Sequence, residues 1–312
     1  MRRKRLWIDT DLNPPVWAGQ AIGTPSADVD ANVDDAVALL AAVAHPSVEL
    51  VGVSTVGSDP ERRAAVAVGL LAGAGVDLGT VTVVAGASGP TAEAGRAAAD
   101  DPSPATVPVS AGAGGDAPGG GIDAVVAAVA ASGAEALLAI GPLTNVAAMT
   151  AAGVRPPELT IMGGALRPVE HRGELRTVEH NFGSDPGAAA AVLAVPGAVI
   201  VPLDATVATR LDDRLVLKLV ARAPVLEPMI QSWMAQWGEV VLHDPAALLI
   251  AAGDGSELGR FERRRLLVEP DGRLIDGGPG AGGTVHDVVT SLFGSAVVAS
   301  VLALLADLEL TG

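Results

Sequence analysis

The chain has 312 residues, with 36 acidic and 20 basic side chains and a formal charge of -16. That balance argues against nucleic acid as a general partner, because phosphate binding needs a basic surface. The absence of cysteine excludes disulfides, thiolate nucleophiles and thiolate metal sites, and fits a cytoplasmic enzyme.

In chain order, "MRRKRLW" opens like a secretion signal but runs straight into "IDTD" without an apolar core, so no leader is expected. "LWID" (6–9) reads as the first strand. Residues 12–27, "LNPPVWAGQAIGTPSA", are rich in Pro and Gly and read as a loop. Further strands are expected at 48–55, 81–85, 136–140, 159–162 and 198–203. They are apolar throughout rather than alternating, as when both faces of a sheet are covered. Helices are expected at 34–44, 60–72, 122–131, 143–152 and 186–193. The strand–helix–strand rhythm predicts an α/β fold, a doubly wound, mainly parallel sheet of Rossmann-like type. Residues 86–120 are dominated by Gly, Ala, Pro and Ser and read as a long loop. After residue 204 the pattern turns helical, at 212–222, 225–237 and 244–252. The uncharged run 288–306 has the length of a membrane span, but its Ser, Thr and Gly content and the lack of basic flanks favour a buried C-terminal element. With no repeat and no linker, residues 1–312 are expected to form one domain.

The stretch "ADVDANVDDAVALL" (27–40) places Asp28, Asp30, Asp34 and Asp35 within eight positions. A like-charged pair about 4 Å apart costs roughly 4 kcal/mol at an effective dielectric near 20. A helix N-terminus returns only about 0.3–1 kcal/mol of this. Asp9 and Asp11 end the first strand, and Asp34 and Asp35 open the next helix. If the intervening loop returns, these carboxylates meet at the carboxyl edge of a sheet, where open α/β folds bind ligands. A bound cation explains the crowding better than helix capping, and all-oxygen ligation favours Ca²⁺ or Mg²⁺. The stretch is not an EF-hand loop: Val33 stands where the turn needs Gly, and Leu39 where the loop needs a bidentate Glu. "IDTDLN" also resembles the start of a haloacid-dehalogenase phosphatase, with Asp9 as nucleophile. That family wants a downstream lysine, and only Lys218 follows Lys4, without matching context.

"IDTD", "VDDAVALL", "GVSTV", "IGPLTN", "IMGGA", "EHN" with "DPGAAAAV", "VPLDAT" and "HDPAALL" occur in an order that resembles the inosine–uridine-preferring nucleoside hydrolases, from about Leu6 to Ile250. The resemblance implies hydrolysis of the N-glycosidic bond of a ribonucleoside or related riboside, in purine or pyrimidine salvage. It implies a Ca²⁺ ion held by Asp11, Asp35, the main-chain carbonyl of Ile140 and Asp244, with Asp35 and Asp244 also close to the substrate. Asp34 would take the proton of the attacking water, and Asp9 would support the cluster from behind. Glu179 and Asn181 would bind ribose hydroxyls, and His243 would assist the departing base. It also implies a homodimer or homotetramer whose partner is a small-molecule riboside, with neither nucleic acid nor membrane.

The chain departs from the family pattern in four places. The two aspartate pairs are normally a few residues apart; here an insertion at about 12–33 separates them, and Asp28 and Asp30 recreate the compact spacing. Either Asp11 or Asp30 is then the ligand, with Asp11 preferred because a strand fixes its position. Asp59 stands where an Asn usually binds ribose. The loop "SAGAGGDAPGGG" lacks the family's histidine. Gly173 and Glu174 replace an Asn, near a cluster of Arg167, His171, Arg172 and Arg176 that reads as a solvated loop. A riboside-binding member with altered or lost activity is the alternative reading. The second "VHD", at 285–287, leads no Pro-started helix, and His286 reads as structural.

Overall fold

The computed structural model describes residues 2–13, 32–89, 120–154, 158–171, 173–278, 282–306 and 308. Asp28, Asp30, Trp17, Arg172 and nearly all of the Gly/Ala-rich loop lie outside the described residues. The first half alternates β1 (Lys4–Thr10), α1 (Val33–Ala44), β2 (Val48–Thr55), α2 (Pro60–Gly73), β3 (Thr82–Ala85), α3 (Ile122–Ser132), β4 (Ala136–Ala139), α4 (Thr144–Ala151) and β5 (Glu158–Met162). Then come a small hairpin, β6 (Val169–His171) and β7 (Glu174–Arg176), then α5 (His180–Ser184), α6 (Pro186–Leu193), β8 (Val199–Val201) and α7 (Leu203–Thr206). The remainder comprises α8 (Asp213–Arg222), α9 (Glu227–Trp237), α10 (His243–Ala252), α11 (Gly255–Leu258), β9 (Gly259–Val268), β10 (Leu274–Asp276), β11 (Thr284–Leu292) and α12 (Gly294–Ala306).

Nine strands form one sheet in the order β10-β9-β11-β8-β5-β4-β1-β2-β3. From β3 to β11 every neighbouring pair is parallel, and β9 and β10 add an antiparallel edge. The reading of a helical C-terminal part is therefore incomplete. Strand β9, "GRFERRRLLV", reads poorly as a strand because its pattern is dominated by Arg and Glu. At a partly solvated edge such residues are tolerated. The uncharged run 288–306 is the end of β11 followed by α12; among the described residues no helix is long and apolar enough to cross a membrane.

β1 lies between β4 and β2, with Asp9 registered to Ser54 on one side and Ala139 on the other. Chain order runs one way through β2 and β3 and the other way through β4 and β5, so the carboxyl end of β1 is the switch point where a crevice must open. Strand alternation divides the core. Leu6 and Ile8 face the layer holding α1 and α10, and Trp7 faces the layer holding α3, α4 and α6. The Trp7 ring occupies the space a Cβ on Gly52 would need, 2.1 Å from its ideal position. A side chain at Gly52 would displace the indole beneath Asp9.

α1 is buried from Val33 to Ala42, and α10 is buried along its whole length. A helix apolar on all sides cannot sit at a surface. These two pack against each other inside the molecule, with their acidic first turns side by side.

Candidate active site

A cavity of about 430 Å³ opens over the carboxyl end of the sheet. Asp11, Asp34, Asp35, Ile140, Glu179, Asn181, His243 and Asp244 all line it. Eight of the residues singled out in the sequence thus converge from β1, α1, the segment after β4, α5 and α10. Carboxylate oxygens of Asp34, Asp35 and Asp244 lie within 4.8 Å of one another, and all three side chains are buried.

None of these carboxylates is spent on capping. α1 is preceded by Asn32, which makes no side-chain cap bond; its amide instead donates to Asp11 Oδ1 at 3.1 Å. α10 begins at His243 after Leu242, again without a side-chain cap. Asp244 therefore lies inside the first turn, not at the cap where capping alone would put it. Thr10 donates to Asp35 through its hydroxyl. His180 reaches Asp11 Oδ2 at 3.5 Å from the exposed rim.

Burial, then the charges of neighbouring aspartates, pushes the Asp35 and Asp244 carboxyls well above their ordinary range. The two share a hydrogen bond that lowers Asp35 and raises Asp244. Burial likewise raises Glu179, against backbone N–H donors from Asn181, Gly164 and Phe182. Asp9 lies directly behind the cluster, fully buried and raised to about 7, chiefly by desolvation. Its Oδ1 accepts from Ser54 and from the Asn145 amide, while its Oδ2 has no hydrogen-bond partner among the described residues. A nucleophilic Asp9 needs access to substrate, and it does not line the cavity; the phosphatase reading fails on that point.

The donor set fits a hard cation. Several buried carboxylates share one pocket, with His180 beside Asp11 only at the exposed rim. The Ile140 carbonyl lines the same floor and accepts from Asn181 Nδ2 at 3.2 Å, with a second lone pair left over.

Asp59 is corrected. It is exposed, does not line the cavity, and caps α2 by accepting from the Arg62 amide at 3.1 Å. Its backbone is left-handed, φ 52°, a conformation Asn and Asp tolerate better than other side chains. An Asp in place of Asn is thus accounted for by the turn and the cap. Asp30, the alternative ligand, lies outside the described residues.

The upper cavity wall carries residues that sequence reasoning passed over. His171 is buried in β6, not solvated, and meets His243 edge-on with ring centroids 5.0 Å apart. Trp233 and Trp237 line the same wall from α9, and Arg176 lines it from β7. Arg167 instead pairs with Asp204. Thr206 Oγ1 lies 2.7 Å from His243 Nδ1. Asn145 was legible as the last residue of "IGPLTN", and Thr10 as the centre of "DTD". His171 carried no spacing signal, because only the hairpin brings it to the site. His286 is buried in β11 against the Leu193 carbonyl, a structural role.

The sequence profile of the inosine-uridine preferring nucleoside hydrolases matches residues 26–299. The solved structures of a plant nucleoside hydrolase, PpNRh1, and of the purine-preferring ribonucleoside hydrolase from Gardnerella vaginalis are similar in fold. The first superposes with a TM-score of 0.71 at 18% identity, covering 97% of this chain and 99% of that one. The second gives 0.70 at 19%, covering 98% and 99%. The inosine-uridine preferring nucleoside hydrolase from Bacillus anthracis gives 0.67 at 18%, covering 97% and 99%. The comparison with curated proteins gave no match. Together the α/β sheet, the acidic crevice and the profile match place this chain in the inosine-uridine preferring nucleoside hydrolase family, whose members are N-ribohydrolases. Ribonucleoside hydrolysis is the activity that family and fold support. The profile match starts after β1. It thus includes Asp30 and leaves out Asp9 and Asp11, which the insertion separates from the rest of the motif.

Proposed function

We propose that this protein is a Ca²⁺-dependent hydrolase of the N-glycosidic bond of a ribonucleoside or related riboside, giving free base and ribose. The observation that carries this reading is the buried trio Asp34, Asp35 and Asp244, meeting from two helices at the floor of one cavity. Asp11, Asp35, Asp244 and the Ile140 carbonyl are the ligands we assign. Bound there, the cation would orient and acidify a water and hold the ribose diol.

Asp34 belongs to the trio yet is not one of the assigned ligands, and it acts as the base that takes the water's proton. The surrounding carboxylates stabilise the positive charge that builds on the sugar as its bond to the base lengthens. Glu179 is fixed by three backbone N–H groups, and Asn181 by two carbonyls. Both are therefore preorganised to meet ribose hydroxyls. His243 lines the same cavity as Trp233 and Trp237 and hydrogen-bonds the departing base. A cytoplasmic, homo-oligomeric salvage enzyme remains the expectation from the family resemblance. Asp11 is preferred over Asp30 because its strand is locked between β2 and β4 and its side chain lines the cavity.

Base release from a panel of purine and pyrimidine ribonucleosides, with and without a Ca²⁺ chelator, tests the proposal. Release that the chelator abolishes and added Ca²⁺ restores is expected. Release indifferent to the chelator would overturn the metal assignment, and Ca²⁺ binding without release from any riboside would favour the binding-only reading.

A further inference from the structure

Two imidazoles line the base end of the cavity, and their surroundings differ. His243 Nδ1 faces a hydroxyl, Thr206 Oγ1, at 2.7 Å. His171 Nδ1 faces a carboxylate, Glu239 Oε1, at 3.5 Å. That distance is a charge contact rather than a full hydrogen bond, of the kind that tightens once substrate is bound. Glu239 is itself held on two sides. Its Oε2 pairs with Arg210 Nη1 at 2.9 Å, and its main-chain carbonyl accepts from the Trp233 indole at 2.7 Å. The strip around it is clasped to the chain before α8: Leu211 N donates to Val240 O, and Arg210 bridges Val241. Arg210 thus fixes the Glu239 carboxylate against the His171 ring, where it orients the imidazole. A carboxylate that orients an imidazole is the arrangement of a proton-transfer pair.

We propose that His171, held by Glu239, is the acid that protonates the departing nucleobase, with His243 beside it as the hydrogen-bonding partner. The inference rests on the N-ribosyl hydrolase reading above. In the step, the C1′–N bond breaks and its electron pair passes to the base nitrogen system. The proton leaves His171 for that base, and water adds hydroxyl to C1′ while giving its own proton to Asp34. Solvent then returns one proton to His171 and removes one from Asp34. The class of substrate selected is a riboside whose leaving group needs a proton, as a purine or pyrimidine does.

The discriminating probe is 4-nitrophenyl β-D-riboside, whose phenolate departs without protonation. Glu239→Gln and His171→Gln are compared with the parent on this compound and on the best ribonucleoside of the panel. Each variant is expected to lose about 100-fold in kcat on the ribonucleoside, within the usual range for general acid catalysis, and at least about 30-fold less on the nitrophenyl riboside. Equal losses on both substrates would show a merely structural role and overturn the proposal, as would no loss on either. Parent enzyme that cleaves the nitrophenyl riboside but no ribonucleoside would overturn it too. Parent enzyme that cleaves neither would instead remove the hydrolase reading on which it stands.

Discussion

Asp35 and Asp244 open two different buried helices, and their side chains share a hydrogen bond in the floor of the cavity. Two carboxylates bond only when a proton lies between them. Burial and the neighbouring aspartates raise both carboxyls, so a divalent ion bound there would compete with protons. Ca²⁺ affinity is expected to rise with pH, with proton release on binding. Calorimetry in buffers of different ionisation enthalpy checks this; pH-independent affinity without proton release would contradict it.

Asp34→Asn removes the base while keeping the side chain's size. A loss of about 10³-fold or more in kcat is expected, at the upper end of what a positioned base supplies, with Ca²⁺ still raising Tm. Asp244→Asn should abolish the Ca²⁺-dependent rise in Tm as well as turnover. Thermal melts with and without Ca²⁺, beside steady-state rates, separate the two roles.

Asp11 and Asp30 compete for one ligand position. Asp11→Asn is expected to weaken Ca²⁺ binding by 10-fold or more, and Asp30→Asn by little. The opposite ranking in a chelator competition titration would assign the insertion, not β1, to the metal.

Asp9 makes stability fall with pH. Its folded value of about 7 lies above its ordinary 3.8, so between those values the folded state keeps a proton that the unfolded chain has lost. The Asp9 contribution to the stability of chelated protein should therefore fall as pH rises through that window and level off above about 7. Asp9→Asn should flatten the decline, raising Tm at pH 8 and leaving it nearly unmoved at pH 4. Melting curves across pH in chelator provide the check.

Asp59 caps a helix outside the cavity lining. Asp59→Ala is expected to lower stability by about 1 kcal/mol through the lost cap while leaving KM within about twofold. A large rise in KM would return it to the ribose site.

Local chemistry made much of this protein legible. Strands β1 to β5 and β8 read directly because strands covered on both faces must be apolar throughout, whereas β11, also parallel, was not read as a strand; α6 runs Pro186–Leu193 as expected because Asp185 caps it and Pro186 opens it. Asp9 and Asp11 at the end of "LWID", and Asp34 and Asp35 at the start of an apolar run, betrayed the site through the cost of their crowding. Strand β9 was missed because edge solvation, not its own pattern, permits its charges. Asp59 lies outside the cavity lining because an αL turn, invisible to motif counting, places it at a helix cap.

What the sequence by itself determined, then, was the set of carboxylates and the α/β rhythm that carries them to one sheet edge, since both follow from spacing and burial. Which of them face the cavity was decided only by the packing of α1 against α10 and by the strand order that leaves β1 at the switch point. The pairing of His171 with His243 was decided the same way, by a hairpin folded over the crevice. Contacts between segments far apart in the chain depend on how separate elements pack, and no local spacing encodes that.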